Sequence, residues 1–555
     1  MDKGEGSRQP GTVRQGTPSP NNNRLSNFRS RGEFESKLYE NTLNYDKTFA
    51  VHHKLSAVAG ISNQTFKHPV YRFTTIAGSA TVEDPYTNLW NNIGLLGRVN
   101  YGYDEKYLTS ITFRRDGSSL FGKNNRWGNF PSASAAWRIS REKFWNVKAV
   151  SDLKLRASYG SLGNSEFLQP WLYYSQINPF PRAVFGANEV EQIGNIVTRL
   201  ANSNLRWERK NTTNFGVDAT LFNNRVSVSA DYFISKTKDV LVDLPISLTT
   251  GNAGGNPAVN AASLQNKGFE LALTYRAKTT RNFRWDATVN FTSIRNKVVA
   301  FGNESTKFTQ LGDARTQLGR SIGEWYVLQT NGIFQSQSEI DAHRGKTGQV
   351  LQPWSKPGDI RYMDVDNDGV LNLDKDRYYA GSPWADFETG LQLNVGYKNF
   401  SLNMQWYAVV GNDLYNRPRY TVDRMDQNTN FRKGATFWTS QAPGSDWPRA
   451  AIRNRSPTDK GLDYNVLPQS DRWLEDGSYL RLRNLELAYT LGKNTLKRVG
   501  FKSSRIFVSG QNLLTFTKYK GLDPDIAGVN IFERGLDNGQ YPALRIISAG
   551  INFGF

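Results

Sequence analysis

The sequence predicts an all-β chain folded as a transmembrane antiparallel β-barrel. Three observations carry that prediction: side chains alternate between apolar and polar with a period of two, the connections between alternating runs are short and long in turn, and the composition is aromatic yet polar. In Val226-Ser227-Val228-Ser229-Ala230-Asp231-Tyr232 the even positions are apolar and the odd ones polar. Trp285 to Phe291 and Phe400 to Trp406 repeat the pattern, and Leu153 to Tyr159 places Lys154 and Arg156 on its polar side. A strand turns successive side chains to opposite faces, so each run has one apolar and one wet face. A soluble β-sandwich uses the same code, so periodicity alone leaves both open.

The connections decide between them. Roughly fifteen strands follow wherever alternation persists. Asp104-Glu105, Asn223-Asn224, the stretch from Thr279 to Asn282, and Lys398-Asn399 read as tight turns. Between them lie long links at about 161–205, 238–265, 297–384 and 411–477. Bacterial membrane barrels have short turns on one side and long loops on the other, and a sandwich has no reason to do so. The last strand alternates through Ile547, Ala549, Ile551 and Phe553 to Phe555, with Ser548 and Asn552 on the opposite face. A terminal aromatic after such a strand is similar to the signal read by the outer-membrane assembly machinery. With an odd strand count whose last member runs inward, the first also runs inward. Single-chain barrels have even counts, so the sequence predicts further strands upstream.

The 555 residues include 25 Tyr, 31 Phe and 14 Trp, yet only 38% are hydrophobic, and the mean hydropathy is −0.58. That is too aromatic for disorder and too polar for a helical membrane protein; no run of about 18 apolar residues occurs. There is no cysteine, which excludes a disulfide framework, a Cys-ligated zinc site and a cysteine nucleophile. The +19 formal charge comes from Lys and Arg spread along the chain without a basic block, so it reads as solvated lumen and loop positions, with no nucleic-acid partner. The first six residues lack the apolar core of a secretory signal, and residues 1–34, rich in Asn, Ser, Pro, Gly and Arg, read as a flexible N-terminal segment or loop. Residues 35–555 form the barrel, with an extracellular loop insert at about 297–384.

Several segments resemble the TonB-linked outer-membrane proteins of the starch-utilisation type, the SusC/RagA family. They are Leu95 to Tyr101, Phe113-Arg114-Arg115-Asp116-Gly117-Ser118-Ser119, Asn124 to Gly128 followed by Phe130-Pro131-Ser132, and Leu155 to Gly160 with Gly163-Asn164. Asn204-Leu205-Arg206-Trp207-Glu208, Asp476 to Asn484, and Gly521-Leu522-Asp523-Pro524-Asp525 complete the set. They run in order from about residue 90 to the end. The resemblance implies a barrel of about 22 strands, of which this chain supplies about 15 and no plug. It also implies nutrient import (oligosaccharide or peptide) across the cell outer membrane. The implied partners are a SusD-like surface lipoprotein, outer-membrane lipid and the TonB-ExbB-ExbD system. The plug, the TonB-contacting segment and the signal peptide are not recognisable in these residues. A secreted soluble β-rich binding or adhesion protein is the alternative from another class.

The sharpest local motif is Asp364-Val365-Asp366-Asn367-Asp368-Gly369-Val370-Leu371-Asn372-Leu373-Asp374-Lys375-Asp376. Oxygen ligands at loop positions one, three and five with Gly at six resemble an EF-hand calcium loop. Asp364, Asp366 and Asp368 would ligate Ca2+ by side chain, Val370 by its carbonyl, and Asn372 at the ninth position. The twelfth position is Lys375, and a one-residue bulge would let Asp376 close the site. An acidic turn held by Asx-type hydrogen bonds explains the same residues without metal. No required cofactor is implied. Enzyme signatures are lacking: His52, His53, His68 and His343 show no metalloprotease spacing, and neither a Walker loop nor a nucleophile elbow is present. Loop aromatics of a kind that can stack on sugars (Trp171, Tyr173, Tyr174, Trp325, Tyr326 and Trp354) read first as loop packing or as anchors at a membrane interface, and none of them is nominated as a binding residue.

Overall fold

The structure, a computed structural model, describes residues 26–76, 82–83, 86–165, 168, 172–178, 182–185, 190–243, 257–301, 308–424, 430–450, 464–492, 501–526, 528 and 531–554. Among these described residues seventeen strands form one sheet, two of them short (Ser26–Gly32 and Val82–Glu83). By internal contacts the chain divides into two compact units: Met1–Lys143 with Leu155–Asn214 and Ser235–Ser263, and Phe144–Lys154 with Phe215–Ile234 and Leu264–Phe555.

The first unit contains β1 (Ser26–Gly32), β2 (Glu35–Phe49), β3 (His53–Ile76), β4 (Tyr86–Tyr103), β5 (Tyr107–Ser118) and β6 (Trp127–Arg138). β2 to β6 form an antiparallel ladder in chain order, and β1 pairs with the far end of β3. β1 lies inside the stretch expected to be flexible; it is ordered by its ladder to Val70–Ile76, a partner that local composition does not show. One row of ladder partners reads Tyr45, Ala57, Val99, Ile111, Ala133, and the neighbouring row Asp46, Ser56, Asn100, Ser110, Ser134. The turn after β4 places both Asp104 and Glu105 at φ +53°, and the Lys106 N–H donates to the Tyr103 carbonyl at 2.9 Å. Paired positive φ values match the twist of a tight hairpin.

Four strands, β7 (Val150–Asn164), β8 (Glu208–Leu221), β9 (Val226–Asp243) and β10 (Ala258–Arg276), have residues in both units. β9 and β10 run further than the 238–265 link predicts, so that connection is shorter: residues such as Val240 and Val242 continue the alternation.

The second unit adds β11 (Phe283–Phe301), then the insert strands β12 (Phe308–Leu311), β13 (Ala314–Gln317), β14 (Glu324–Leu328), β15 (Thr330–Ile333), helix α1 (Gln337–Ala342), β16 (Ile360–Tyr362) and β17 (Arg377–Gly381). The ladder resumes with β18 (Phe387–Tyr397) and β19 (Phe400–Val410), passes β20 (Asp413–Asn416), α2 (Arg417–Asp423) and β21 (Leu474–Asp476), and continues in β22 (Tyr479–Thr490) and β23 (Ser503–Thr517). After β24 (Leu536–Asp537) it ends with β25 (Ile546–Gly554); Phe555 lies outside the described residues. Across six antiparallel strands one row of partners is Trp285, Val395, Leu402, Leu487, Val508 and Ala549. The row beside it, one residue along each strand, is Asp286, Asn394, Asn403, Glu486, Ser509 and Ser548. The polar row is knitted together: Asn394 Nδ2 donates to Asp286 Oδ2 at 2.7 Å and Asn403 Nδ2 to Glu486 Oε1 at 3.1 Å.

The apolar rows are not buried. Val99, Ile111, Leu487 and Val508 are 46%, 59%, 52% and 54% exposed. A soluble sheet would cover such a face, at roughly 25 cal/mol per Å2 gained, and a face left bare in water over this many strands marks contact with lipid. No helix among the described residues is long and apolar enough to cross a membrane.

Candidate functional site

The insert between β11 and β18 and the connection between β19 and β22 pack on each other in the second unit. Leu328, Ile333, Ile360, Tyr362, Leu371, Tyr464 and Leu467 form one buried cluster, against which Trp354 and Trp438 rest. Trp325, Tyr415, Trp473 and Leu536 form another with Ala314. Buried charge ties these connections together. Asp359 is fully buried, and its carboxylate takes Arg449 Nε at 2.6 Å and Nη2 at 3.2 Å, with Asn465 Nδ2 at 2.8 Å. Arg419 pairs with Glu475 at 2.8 Å, and Asp471 accepts the Thr330 hydroxyl at 2.6 Å and the Tyr378 hydroxyl at 3.0 Å. A two-pronged guanidinium–carboxylate pair fixes orientation as well as distance. Sequence reading missed these tethers, because their partners stand up to 141 residues apart and each looks like an ordinary loop charge.

The acidic loop lies between β16 and β17. Asn367 at φ +57° and Gly369 at φ +86° bend the chain back on itself. The Gly369 N–H donates to Asp364 Oδ2 at 2.9 Å, and the Asp368 N–H donates to Asp366 Oδ1 at 3.1 Å. The extra residue before the closing acid is absorbed in a turn: Asn372 Oδ1 accepts the N–H groups of Asp374 (2.9 Å) and Lys375 (3.2 Å), and the Asp376 N–H reaches the Asn372 carbonyl at 3.0 Å. Asp376 is thereby carried into the loop, fully buried, where it accepts Val365 N–H at 2.8 Å and Asn372 N–H at 2.6 Å. Burial pushes its carboxyl up, against the pull of those hydrogen bonds.

Carboxylate oxygens of Asp364, Asp366 and Asp376 lie within 4.8 Å of one another. Asp364 Oδ1 is buried and has no hydrogen-bond partner. Two of the other expected ligands turn to different partners: Asp368 to Lys375 Nζ at 3.4 Å and to the Val370 N–H at 2.9 Å, while the Asn372 side chain caps the closing turn. The donor set suits a hard, oxygen-seeking cation, since clustered carboxylates and an orphaned acceptor repel each other without one.

The loop aromatics divide. Trp325 is buried, 5.6 Å from the Tyr415 ring, with its Nε1 donating to the Asp413 carbonyl at 2.9 Å. Tyr326 lies against Tyr379 and under the Arg315 guanidinium, and Trp354 packs on Tyr464 at 5.3 Å. Tyr173 and Tyr174 meet each other at 4.4 Å, and Tyr174 is exposed. Trp171 lies outside the described residues.

The segments that carried the family resemblance also meet. In the first unit the Phe130 ring lies where a side chain on Gly128 or Gly163 would go, 5.6 Å from Trp207. Trp207 Nε1 donates to the Arg126 carbonyl at 3.0 Å, and Glu208 accepts Asn164 Nδ2 at 3.0 Å and Leu241 N–H at 2.7 Å. In the second unit Arg481 bonds Asp523, and Arg483 reaches Asp525 at 3.4 Å.

A ladder with one lipid-suited and one hydrated face, joined by alternately short and long connections, defines a membrane β-barrel of the outer-membrane class. The family described as TonB dependent receptor-like, beta-barrel, matches residues 5–405, and the chain belongs to it. That is a family of outer-membrane receptors and transporters and not of enzymes. TonB-dependent receptor P3 of Formosa agariphila is 32% identical, over 93% of this chain and 52% of its own length. TonB-dependent receptor SusC of Bacteroides thetaiotaomicron is 28% identical, over 83% of this chain and 44% of its own. The structure titled the RagAB peptide transporter superposes with a TM-score of 0.78 at 23% identity, over 96% of this chain and 57% of that one, a likeness of fold. The chain spans about half the length of the curated relatives it matches.

Proposed function

We propose that the protein is the barrel portion of an outer-membrane importer of the SusC/RagA type. In this reading residues 35–555 surround a hydrated lumen through which an oligosaccharide or peptide passes. The single observation that carries it is the pair of adjacent rows across six strands, Trp285 to Ala549 apolar and Asp286 to Ser548 polar. An adhesin would bury one of these faces; here the apolar one is bare and the polar one internally bonded. The rigid packing of the insert (about 297–384) with the connection between β19 and β22 supports a surface on which a SusD-like lipoprotein docks. The relatives' shared name supports energy input from the TonB-ExbB-ExbD system. Uptake by the host bacterium of labelled oligosaccharides and of labelled peptides tests the reading. Deletion of the gene abolishes uptake of one class; unchanged uptake of both classes contradicts it.

For the acidic loop we propose Ca2+, held by Asp364, Asp366 and Asp376 and bracing the insert without taking part in any reaction. The buried, unpartnered Asp364 Oδ1 favours it over a metal-free Asx turn. Calcium-competable terbium luminescence, lost in Asp376→Asn, is the expected result; no competable signal contradicts it.

A further inference from the structure

The apolar face of β10 and β11 ends in a basic cleft. The hydroxyls of Thr274 and Thr288 meet at 3.0 Å, and Asn296 Nδ2 donates to Asn266 Oδ1 at 2.6 Å. Eight residues apart on each strand, the two contacts keep one register, so Lys267 stands opposite Arg295 and Gln265 opposite Lys297. The even residues make these contacts, and the odd residues share the other face. On that face are Tyr275 and Trp285 (5.1 Å apart), Phe269 and Phe291 (6.4 Å), and Phe291 and Phe387 (5.4 Å). One strand step further toward the long insert it changes to Lys267, Arg295 and Lys297. Arg320 joins them, held to β11 by Val298 N–H to Arg320 carbonyl at 2.8 Å. These four cations, with Gln265 and Glu324, line a cavity of about 450 Å3.

The charge does not balance. Arg295 pairs with Asp386 at 2.6 Å and Arg320 with Glu324, whereas Lys267 and Lys297 have no ion-pair partner among the described residues. Like charges facing each other across a ladder destabilise it; Asp386 offsets Arg295, and Lys267 and Lys297 call for a further anion. Aromatic side chains on the outer face of a barrel mark the membrane interface, and the cleft sits just beyond them on the side of the long connections. On the membrane reading above, that is the headgroup level of the outer leaflet.

We propose that this cleft binds the phosphorylated headgroup of an outer-leaflet glycolipid. Lys267 and Lys297 hold the phosphate oxygens, while Phe269, Phe291 and Phe387 pack on the acyl chains below. Basic clusters at a membrane surface attract anionic lipid. The test uses protein extracted from its native outer membrane, with fractionation and heat-dependent gel mobility run first, so that failure of the membrane reading shows before any lipid is added. Bound lipid is then counted by native mass spectrometry during titration with lipid A or with its enzymatically dephosphorylated form. The wild type prefers the phosphorylated lipid by about tenfold or more, the Lys267→Gln/Lys297→Gln double variant loses that preference, and the Lys267→Arg/Lys297→Arg variant keeps it. Equal binding of both lipids by the wild type, an unchanged preference in the Gln variant, or full displacement by inorganic phosphate at millimolar concentration overturns the proposal.

Discussion

Arg481 at the start of β22 and Asp523 in the connection after β23 form a buried ion pair, the guanidinium 3% and the aspartate 9% exposed. Asp523 also accepts the N–H groups of Asp525 and Ala543, each at 2.9 Å. Burial raises its carboxyl, but these N–H groups and Arg481 outweigh it and hold the carboxyl below the usual range. Arg481→Ala strands that carboxylate. We expect a loss of about 3–5 kcal/mol in the stability of this connection, and a smaller loss for Lys, which lacks the guanidinium fork. Limited proteolysis between residues 518 and 545 reads it: fast cleavage in the Ala variant, intermediate in the Lys variant.

Asp313, in the hairpin between β12 and β13, carries the opposite sign. Burial pushes its carboxyl up to about 6, although Arg377 and Arg417 pull it down. A raised carboxyl favours the protonated fold. Its contribution is therefore full below the unfolded value near 3.8 and is lost as the pH rises through about 6. Tryptophan-monitored melting of the insert is expected to fall between pH 4 and pH 6.5 and to flatten in Asp313→Asn.

The Asp376→Asn variant removes a buried carboxylate that gathers three backbone N–H groups, those of Val365, Asp366 and Asn372, and closes the acidic loop. With calcium present, the wild-type insert is expected to be stabilised by RT ln(1 + [L]/Kd) and so to melt at a higher temperature than after chelation, and the variant to show no difference. Scanning calorimetry with and without chelator measures this.

Gly163→Ala would drive a methyl group into the Phe130 ring, which is 4% exposed and packed on Trp207. Overpacking of this kind costs about 1–3 kcal/mol. A lower midpoint for the heat-dependent gel shift is expected, restored in part by Phe130→Leu.

Much of this was legible in the sequence, for identifiable reasons. Alternation in Trp285 to Phe291 and Phe400 to Trp406 is dictated by the face each residue meets, so strand type and count followed from it. Tight turns at Asp104-Glu105 and Lys398-Asn399 were legible as polar pairs between alternating runs. The ends of the strands were not: β9 and β10 continue past the membrane-suited stretch because the ladder, and not lipid, holds them there. β1 was hidden because its pairing depends on a distant partner, from Gly32 with Val70 to Ser26 with Ile76. In the acidic loop the motif exposed Asp364, Asp366 and Asp376, while the Asn372-capped turn that absorbs the extra residue, and the diversion of Asp368 to Lys375, depend on local geometry that spacing does not encode. The Asp359–Arg449 tether and the Lys267–Arg295 juxtaposition are products of register, which a single sequence does not display.

The alternation itself is the most direct thing to measure. The chain has no cysteine, so single substitutions Ala287→Cys, Val289→Cys, Thr288→Cys and Asn290→Cys can each carry one spin label in a lipid bilayer. At 287 and 289, in line with the Trp285 row, collisions with dissolved oxygen should dominate; at 288 and 290, in line with Asp286, collisions with a water-soluble nickel chelate should dominate. Labels at all four positions shielded from both reagents, or without the two-residue period, would mean a dry interior where a lumen is claimed, and would contradict the barrel account.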